Sequence, residues 1–214
     1  MEVKMKVVAF NGSPRKEGNT YEAIRLVAEQ LTAENIEVEI IHVGNKNIKG
    51  CTACNHCFKS RDERCIIDDD VNEWIQKMKE ADGIILGSPV HYSDISAEMK
   101  AFLDRAFYVG SANNSLYRHK VGVGITAVRR SGGLPAFNQL NNYLTYAEMV
   151  IPTSNYWNVI YGRGPKEVLQ DEEGMQILRI LGKNMAWLLK LIEFGEGKVK
   201  KPEYERKVYT HFIR

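Results

Sequence analysis

The stretch Val7–Thr20, VVAFNGSPRKEGNT, decides how the rest of the chain reads. An apolar run breaks at Asn-Gly-Ser-Pro-Arg, passes a second glycine and becomes a helix-forming sequence. A buried strand that stops at such a turn and restarts as a helix leaves several backbone N–H groups without intrahelical partners. With the helix dipole behind them, those donors form a site for an anion. The loop lacks both the Gly-Lys-Ser/Thr closure of a triphosphate loop and the G-x-G-x-x-G of a dinucleotide fingerprint. Ser13, Arg15, Asn19 and Thr20 offer hydroxyls, a guanidinium and an amide, which suit a terminal monophosphate without a metal ion. The competing reading is a plain strand-to-helix turn in which Asn19 or Thr20 only caps the helix.

Outward from this stretch the pattern alternates. Strands are expected at Lys6–Phe10, Ile36–Val43, Gly83–Leu86 and Lys120–Thr126, and a fifth within Val150–Val159. Helices are expected at Tyr21–Glu34, Val71–Ala81, Ile95–Tyr108, Leu134–Met149 and Glu172–Glu193. One of Asp68, Asp69 or Asp70 caps the second helix. Such alternation predicts an α/β fold: a doubly wound parallel sheet with helices on both faces. Sheets of this kind bind ligands beyond the carboxyl ends of their strands.

Two further loops open on that edge. GSPVHYSDIS carries Pro89, Val90, His91, Tyr92 and Ser93. The flat faces of His91 and Tyr92 suit an aromatic ring, with ordinary packing at the sheet end as the alternative for Tyr92. These two are the only candidate catalytic groups, and no general acid or base is assigned to either. TAVRRSGG carries Thr126, Arg129, Arg130, Gly132 and Gly133, where paired glycines let the backbone approach a ligand closely.

The chain has 214 residues, 44% hydrophobic and 26% charged, enough for one well-buried domain. A net charge of +2 gives no reason to expect nucleic acid or an anionic membrane surface as partner. No apolar run reaches about 18 residues, so no transmembrane helix is expected. The opening MEVKMKVVAF has no signal-peptide layout, and a cytoplasmic protein is expected.

All four cysteines, Cys51, Cys54, Cys57 and Cys65, fall within CTACNHCFKSRDERC. Such clustering in a chain without a secretion signal points to metal or redox chemistry before disulfides. A C-x2-C-x2-C run plus a fourth cysteine supplies the thiolates of an iron–sulfur cluster. Zinc would accept the same four thiolates, although structural zinc usually sits between two separated knuckles. Reduced cysteines that merely pack are the third reading. Lys59, Arg61 and Arg64 lie inside the loop and either offset thiolate charge or are solvated.

GSPRKEGNT followed by GSPVHYSDISAEMKAFLDR resembles the NADPH-dependent FMN reductase family of flavodoxin-like proteins. The compact cysteine segment resembles the iron–sulfur flavoproteins within it. The resemblance covers about residues 4–195. It implies the strand order 2-1-3-4-5, FMN as cofactor, and a homo-oligomer, dimer or tetramer. By resemblance, Ser13, Arg15, Asn19 and Thr20 hold the FMN phosphate. Pro89, Val90, His91, Tyr92 and Ser93 line the isoalloxazine ring, and Thr126 to Gly133 forms the third flavin loop.

Electrons would come from NAD(P)H as co-substrate or from a ferredoxin-like donor, and would pass to a [4Fe–4S] cluster on the four cysteines. The contrasting function is a non-catalytic module on the same scaffold, flavin-free or zinc-stabilised. Residues 1–195 read as one FMN-binding domain carrying a cysteine-rich loop over residues 50–66. Residues 196–214 read as a basic, aromatic arm that buries Val208, Phe212 and Ile213 on a neighbouring subunit.

Overall fold

The computed structural model describes residues 5–210 and 212. Its elements are β1 (Lys6–Asn11), α1 (Asn19–Ala33), β2 (Glu37–His42), α2 (His56–Ser60), α3 (Asp70–Glu80) and β3 (Gly83–Pro89). They continue with α4 (Ala97–Ala112), β4 (Val121–Val128), α5 (Gly133–Tyr146), β5 (Val159–Tyr161) and α6 (Glu172–Gly195). The strands form one sheet in the order β2-β1-β3-β4-β5, and every pairing is parallel. This is the flavodoxin-like doubly wound topology that the resemblance implied.

Alternation along β1 builds a core on each face of the sheet. Val8 and Phe10 join Trp74, Phe102 and Leu103 beneath α3, α4 and α5. Val7 and Ala9 join Ile24, Val27, Leu181 and Met185 beneath α1 and α6. Phe10 is fully buried, 4.6 Å from the Phe102 ring and 6.3 Å from the Trp74 ring between centroids. Covering both faces leaves the loops at the strand ends as the open surface.

Several bounds shift: β3 runs on to Pro89 past Leu86, α4 to Ala112 past Tyr108, and α5 stops at Tyr146, short of Met149. The fifth strand is displaced to Val159–Tyr161. Val150 instead makes an isolated parallel bridge to Val121, and the chain from 151 to 158 runs irregularly. Pro152 has no N–H to give to a ladder there. Just before β5, Asn158 joins β4 twice: its side-chain amide donates to Gly124 O at 3.1 Å and its carbonyl accepts from Thr126 N at 3.0 Å. The helix α4 begins at Ala97, not Ile95, because the Ser96 hydroxyl caps it by accepting from Met99 N at 3.3 Å. Of the three aspartates, Asp69 is the cap of α3, accepting from Val71 N at 3.2 Å.

The described part of the arm folds back on its own chain. Arg118 donates to Pro202 O at 3.0 Å and Glu203 O at 3.3 Å. Lys207 sits 4.1 Å from the centre of the Tyr146 ring. Val208 and Phe212 remain 85% and 95% exposed, so neither is buried by this chain. Ile213, expected to share their role, lies outside the described residues, as do residues 1–4, His211 and Arg214.

Candidate functional site

Three loops meet at the carboxyl edge of β1, β3 and β4. The first is held open by Asn11, the last residue of β1. Its side-chain carbonyl accepts from Ser13 N at 3.0 Å and its amide donates to Lys16 O at 2.9 Å. Ser13 and Thr20 are buried, and Arg15 is exposed. Gly18 occupies the cap position of α1, and no side chain caps the helix. The first N–H with an intrahelical partner is that of Glu22, on Gly18 O at 3.1 Å. The reading in which Asn19 or Thr20 serves only as a cap is therefore not realised. Asn19 instead ties the loop to the β5–α6 connection, donating to Gly164 O at 3.0 Å.

The second loop begins at Pro89 and reverses tightly. His91 and Asp94 exchange both backbone hydrogen bonds, at 2.9 and 3.0 Å. Tyr92 (φ 49°) and Ser93 (φ 64°) take the left-handed conformation at the two central positions. Hairpin turns of this type usually place Asn or Gly there. A tyrosine in that conformation carries strain, a recurrent property of functional loops. Among the described residues Tyr92 is fully exposed and packs against nothing, so sheet-end packing does not account for it.

The third loop closes onto the second. Val90 N donates to Ala127 O at 3.2 Å. Gly132, at φ 86°, approaches so closely that a Cβ there would lie 2.8 Å from Ser93 Cα and 3.0 Å from Val90 Cγ1. The buried Thr126 hydroxyl donates to Gly133 O at 3.3 Å. Arg129 and Arg130 are exposed at the mouth.

Residues that sequence reading passed over bind the loops into one unit. Ser96 donates its hydroxyl to Gly12 O at 2.7 Å, and Gly12 N donates to Gly87 O at 2.8 Å. His42 Nε2 lies 2.7 Å from Ser13 O. Gly44 runs directly beneath the first loop: a Cβ there would meet Ser13 O at 2.1 Å. The one available signal was a glycine two residues beyond a strand end.

A second constellation is built beyond β2. All four cysteines line one small pocket, together with Arg105, Tyr108 and Val109 of α4. Between Ala53 and Glu63, four non-glycine residues (Ala53, Asn55, Arg61 and Glu63) take positive φ, which curls the loop around that pocket. Asn55 accepts from the Tyr108 hydroxyl at 2.6 Å. Buried Asn72 clamps Cys65, accepting from its N–H at 2.7 Å and donating to its carbonyl at 3.0 Å.

The thiols differ. Burial pushes the Cys57 thiol up, whereas the His56 N–H and the Thr52 hydroxyl hold Cys54 below its ordinary value. Lys59, Arg61 and Arg64 are exposed; the cation that reaches a cysteine is Arg105, whose Nε donates to Cys65 Sγ at 3.3 Å. Burial works against the Arg105 charge, yet its bonds to Asp69 and Cys65 hold its pKa above the usual value. Among the described residues, no group of three or more His, Cys, Asp or Glu side chains closes to metal-ligand geometry. As donor chemistry, four thiols around one pocket with a buried cation behind them fit an anionic iron–sulfur group.

Residues 5–163 match the NADPH-dependent FMN reductase family. An iron–sulfur flavoprotein of Methanocaldococcus jannaschii is 37% identical over 198 residues, 88% of this chain and 100% of that one. The iron–sulfur flavoprotein of Methanosarcina thermophila is 29% identical over 91% of this chain and 100% of its own length. Among solved structures, RosB with a bound flavin-phosphate intermediate superimposes with a TM-score of 0.63 at 16% identity, over 98% of this chain and 94% of that one. A WrbA-like flavodoxin from Agrobacterium tumefaciens gives 0.61 at 15% identity, over 88% and 98%. These structural likenesses carry the fold alone. By its matched span, and by relatives that align along their whole length, the chain belongs to the NADPH-dependent FMN reductase family, in its iron–sulfur flavoprotein branch.

Proposed function

We propose that the chain is an FMN-dependent oxidoreductase that takes electrons from NAD(P)H or a ferredoxin-like protein and exchanges them with a [4Fe–4S] cluster on Cys51, Cys54, Cys57 and Cys65. The observation that carries this reading is the uncapped N-terminus of α1 beneath Ser13 and Thr20. Its free donors and dipole suit a phosphate dianion, and exposed Arg15 can close over it. Asn19, anchored to Gly164, fixes where the helix starts.

Pro89, Val90, His91, Tyr92 and Ser93 then form one wall for a planar ring, and Thr126, Arg129, Gly132 and Gly133 form the other. Contact between Gly132 and Ser93 keeps these walls at a fixed separation. Bound FMN supplies the electron chemistry, accepting two electrons together and releasing them singly. The protein's part is to place the ring, exclude water from one face and hold the phosphate. His91 and Tyr92 stand at the open side with no proton-transfer role assigned.

Anaerobic purification tests the reading. A flavin spectrum with FMN in the extract, plus about four iron and four sulfide per chain, is expected. Protein that is colourless and takes up no added FMN, or that contains zinc and no iron, would instead make the chain a binding module on the same scaffold. No described helix is long and apolar enough to cross a membrane.

A further inference from the structure

We propose that Arg105 is a positioning residue that sets the reduction potential of the cysteine site through its hydrogen bond to Cys65. This rests on the reading that the four cysteines hold a [4Fe–4S] cluster.

The Arg105 side chain is completely buried in the third turn of α4. A guanidinium has five N–H donors in a fixed plane. Here each has a partner. NH1 donates to Asp69 Oδ2 at 2.6 Å and to Lys49 O at 3.3 Å. NH2 donates to Asp69 Oδ1 at 2.8 Å and to Ile67 O at 2.9 Å. The fifth, Nε, donates to Cys65 Sγ at 3.3 Å. The first four bonds would be enough to pin the loop to α4. The fifth goes to sulfur, a poor acceptor as a thiol and a good one as a thiolate. With the other four fixed, the guanidinium cannot turn away from it.

Hydrogen bonds and charge near the sulfurs are among the protein's main controls on cluster potential. Reduction adds one electron, and the site gains one negative charge with no bond made or broken. A buried cation on one ligand sulfur favours that added charge and raises the potential. Asp69 works in the opposite sense, since its carboxylate offsets the same guanidinium. The exposed Lys59, Arg61 and Arg64 are screened by water and salt and are poor substitutes.

The opposed signs provide the test. Wild type, Arg105→Met, Arg105→Lys and Asp69→Asn are purified anaerobically, analysed for iron and sulfide, and titrated with dithionite while the cluster is followed by electron paramagnetic resonance. Arg105→Met is expected to disfavour reduction about tenfold or more, a fall of about 59 mV for one electron. Arg105→Lys keeps a charge without the fork and should fall less. Asp69→Asn keeps a helix cap yet frees the guanidinium charge, and its potential should rise.

Iron-free wild-type protein would sink the cluster reading and this proposal with it. Full iron with an unchanged potential in Arg105→Met would sink this proposal alone. So would a fall in both Arg105→Met and Asp69→Asn, which is what simple loosening of the loop produces. If Arg105→Met does not fold, or folds without iron because the clamp is lost, the opposite shifts expected of Arg105→Lys and Asp69→Asn decide the matter.

Discussion

The loop edge and the cysteine pocket are built by different means. At the edge, regular elements do the placing. Strands β1, β3 and β4 bring three loops together, and backbone bonds such as Gly12 N to Gly87 O and Val90 N to Ala127 O tie them, with Ser96 and His42 adding side-chain ties. At the cysteine pocket, α4 supplies one wall, but the cysteine segment itself carries little regular structure beyond the short helix α2. Buried polar side chains, Asn72 and Arg105, take over the clamping, and left-handed residues supply the curvature. A site placed by a sheet should tolerate loss of a ligand-touching side chain without losing its shape. A site placed by buried polar clamps should lose shape and ligand together.

The largest effect is expected at the edge. Ser13→Ala with Arg15→Ala removes a hydroxyl donor and a charge-assisted bond from the phosphate. At about 1.5–3 kcal/mol for bonds to charged groups, FMN affinity should fall roughly a hundredfold or more. The thermal midpoint of the flavin-free protein should stay close to wild type, since neither side chain belongs to the core. Calorimetric titration with FMN and a melting curve measure the two. Equal affinity would remove this loop from the flavin site, and a collapse in stability would remove the contrast with the cysteine pocket.

Gly44→Ala should act on the same site from beneath. The new Cβ, 2.1 Å from Ser13 O, forces the first loop upward. Overpacking of this kind costs about 1–3 kcal/mol, and FMN affinity should drop about tenfold while cluster iron is retained. A variant with wild-type affinity would mean that the first loop moves freely, contrary to the clamping by Asn11 and His42.

At the cysteine pocket, Asn72→Ala should break shape and ligand together. It leaves the Cys65 N–H and carbonyl without this partner and takes from Ile67 O one of its two donors, the other being Arg105. An unsatisfied buried group costs about 1–3 kcal/mol, so stability should fall by that order. Iron per chain should fall with it while FMN stays bound. Full iron content with lowered stability would show that the pocket is held by the ring of cysteines and not by the clamp.

What the sequence revealed follows the same division. Strands β1, β3 and β4 were legible as short apolar runs, because residues facing both ways are buried: Val7 and Ala9 face one core, Val8 and Phe10 the other. The first loop, proposed as the phosphate site, and the clustered cysteines stood out because each is contiguous. The clamps were not. Ser96 reaches Gly12 across 84 positions, Arg105 reaches Cys65 across 40, and His42 reaches Ser13 across 29. Periodicity carries no information at those separations. In the sequence, Arg105 is one more cation on an amphipathic helix. Curvature from non-glycine residues is equally silent, since Ala53 and Glu63 give no turn signal. The fifth strand was misplaced because, of the apolar start of its expected span, only Val150 pairs, in a bridge to Val121, and the ladder to β4 resumes at Val159.

The smallest effect on the chain itself is expected from its end. Deleting residues 197–214 removes two bonds from Arg118 and the contact of Lys207 with the Tyr146 ring. All lie on the surface. A cation over an exposed ring contributes about 0.5–1 kcal/mol, so the thermal midpoint should move little. Assembly should respond differently. Arg118 holds the start of the arm against the domain, while Val208 and Phe212 face outward almost fully exposed. Apolar side chains held out on a tethered segment without regular structure would gain from burial against a second copy, where aromatic anchors dominate association. The truncated protein should therefore sediment as a smaller species at micromolar concentration, with FMN still bound at the loop edge. Unchanged stoichiometry would make the arm a surface trimming of one chain. Loss of FMN on truncation would mean that the edge is completed by a neighbour, and that the sheet alone does not finish the site it places.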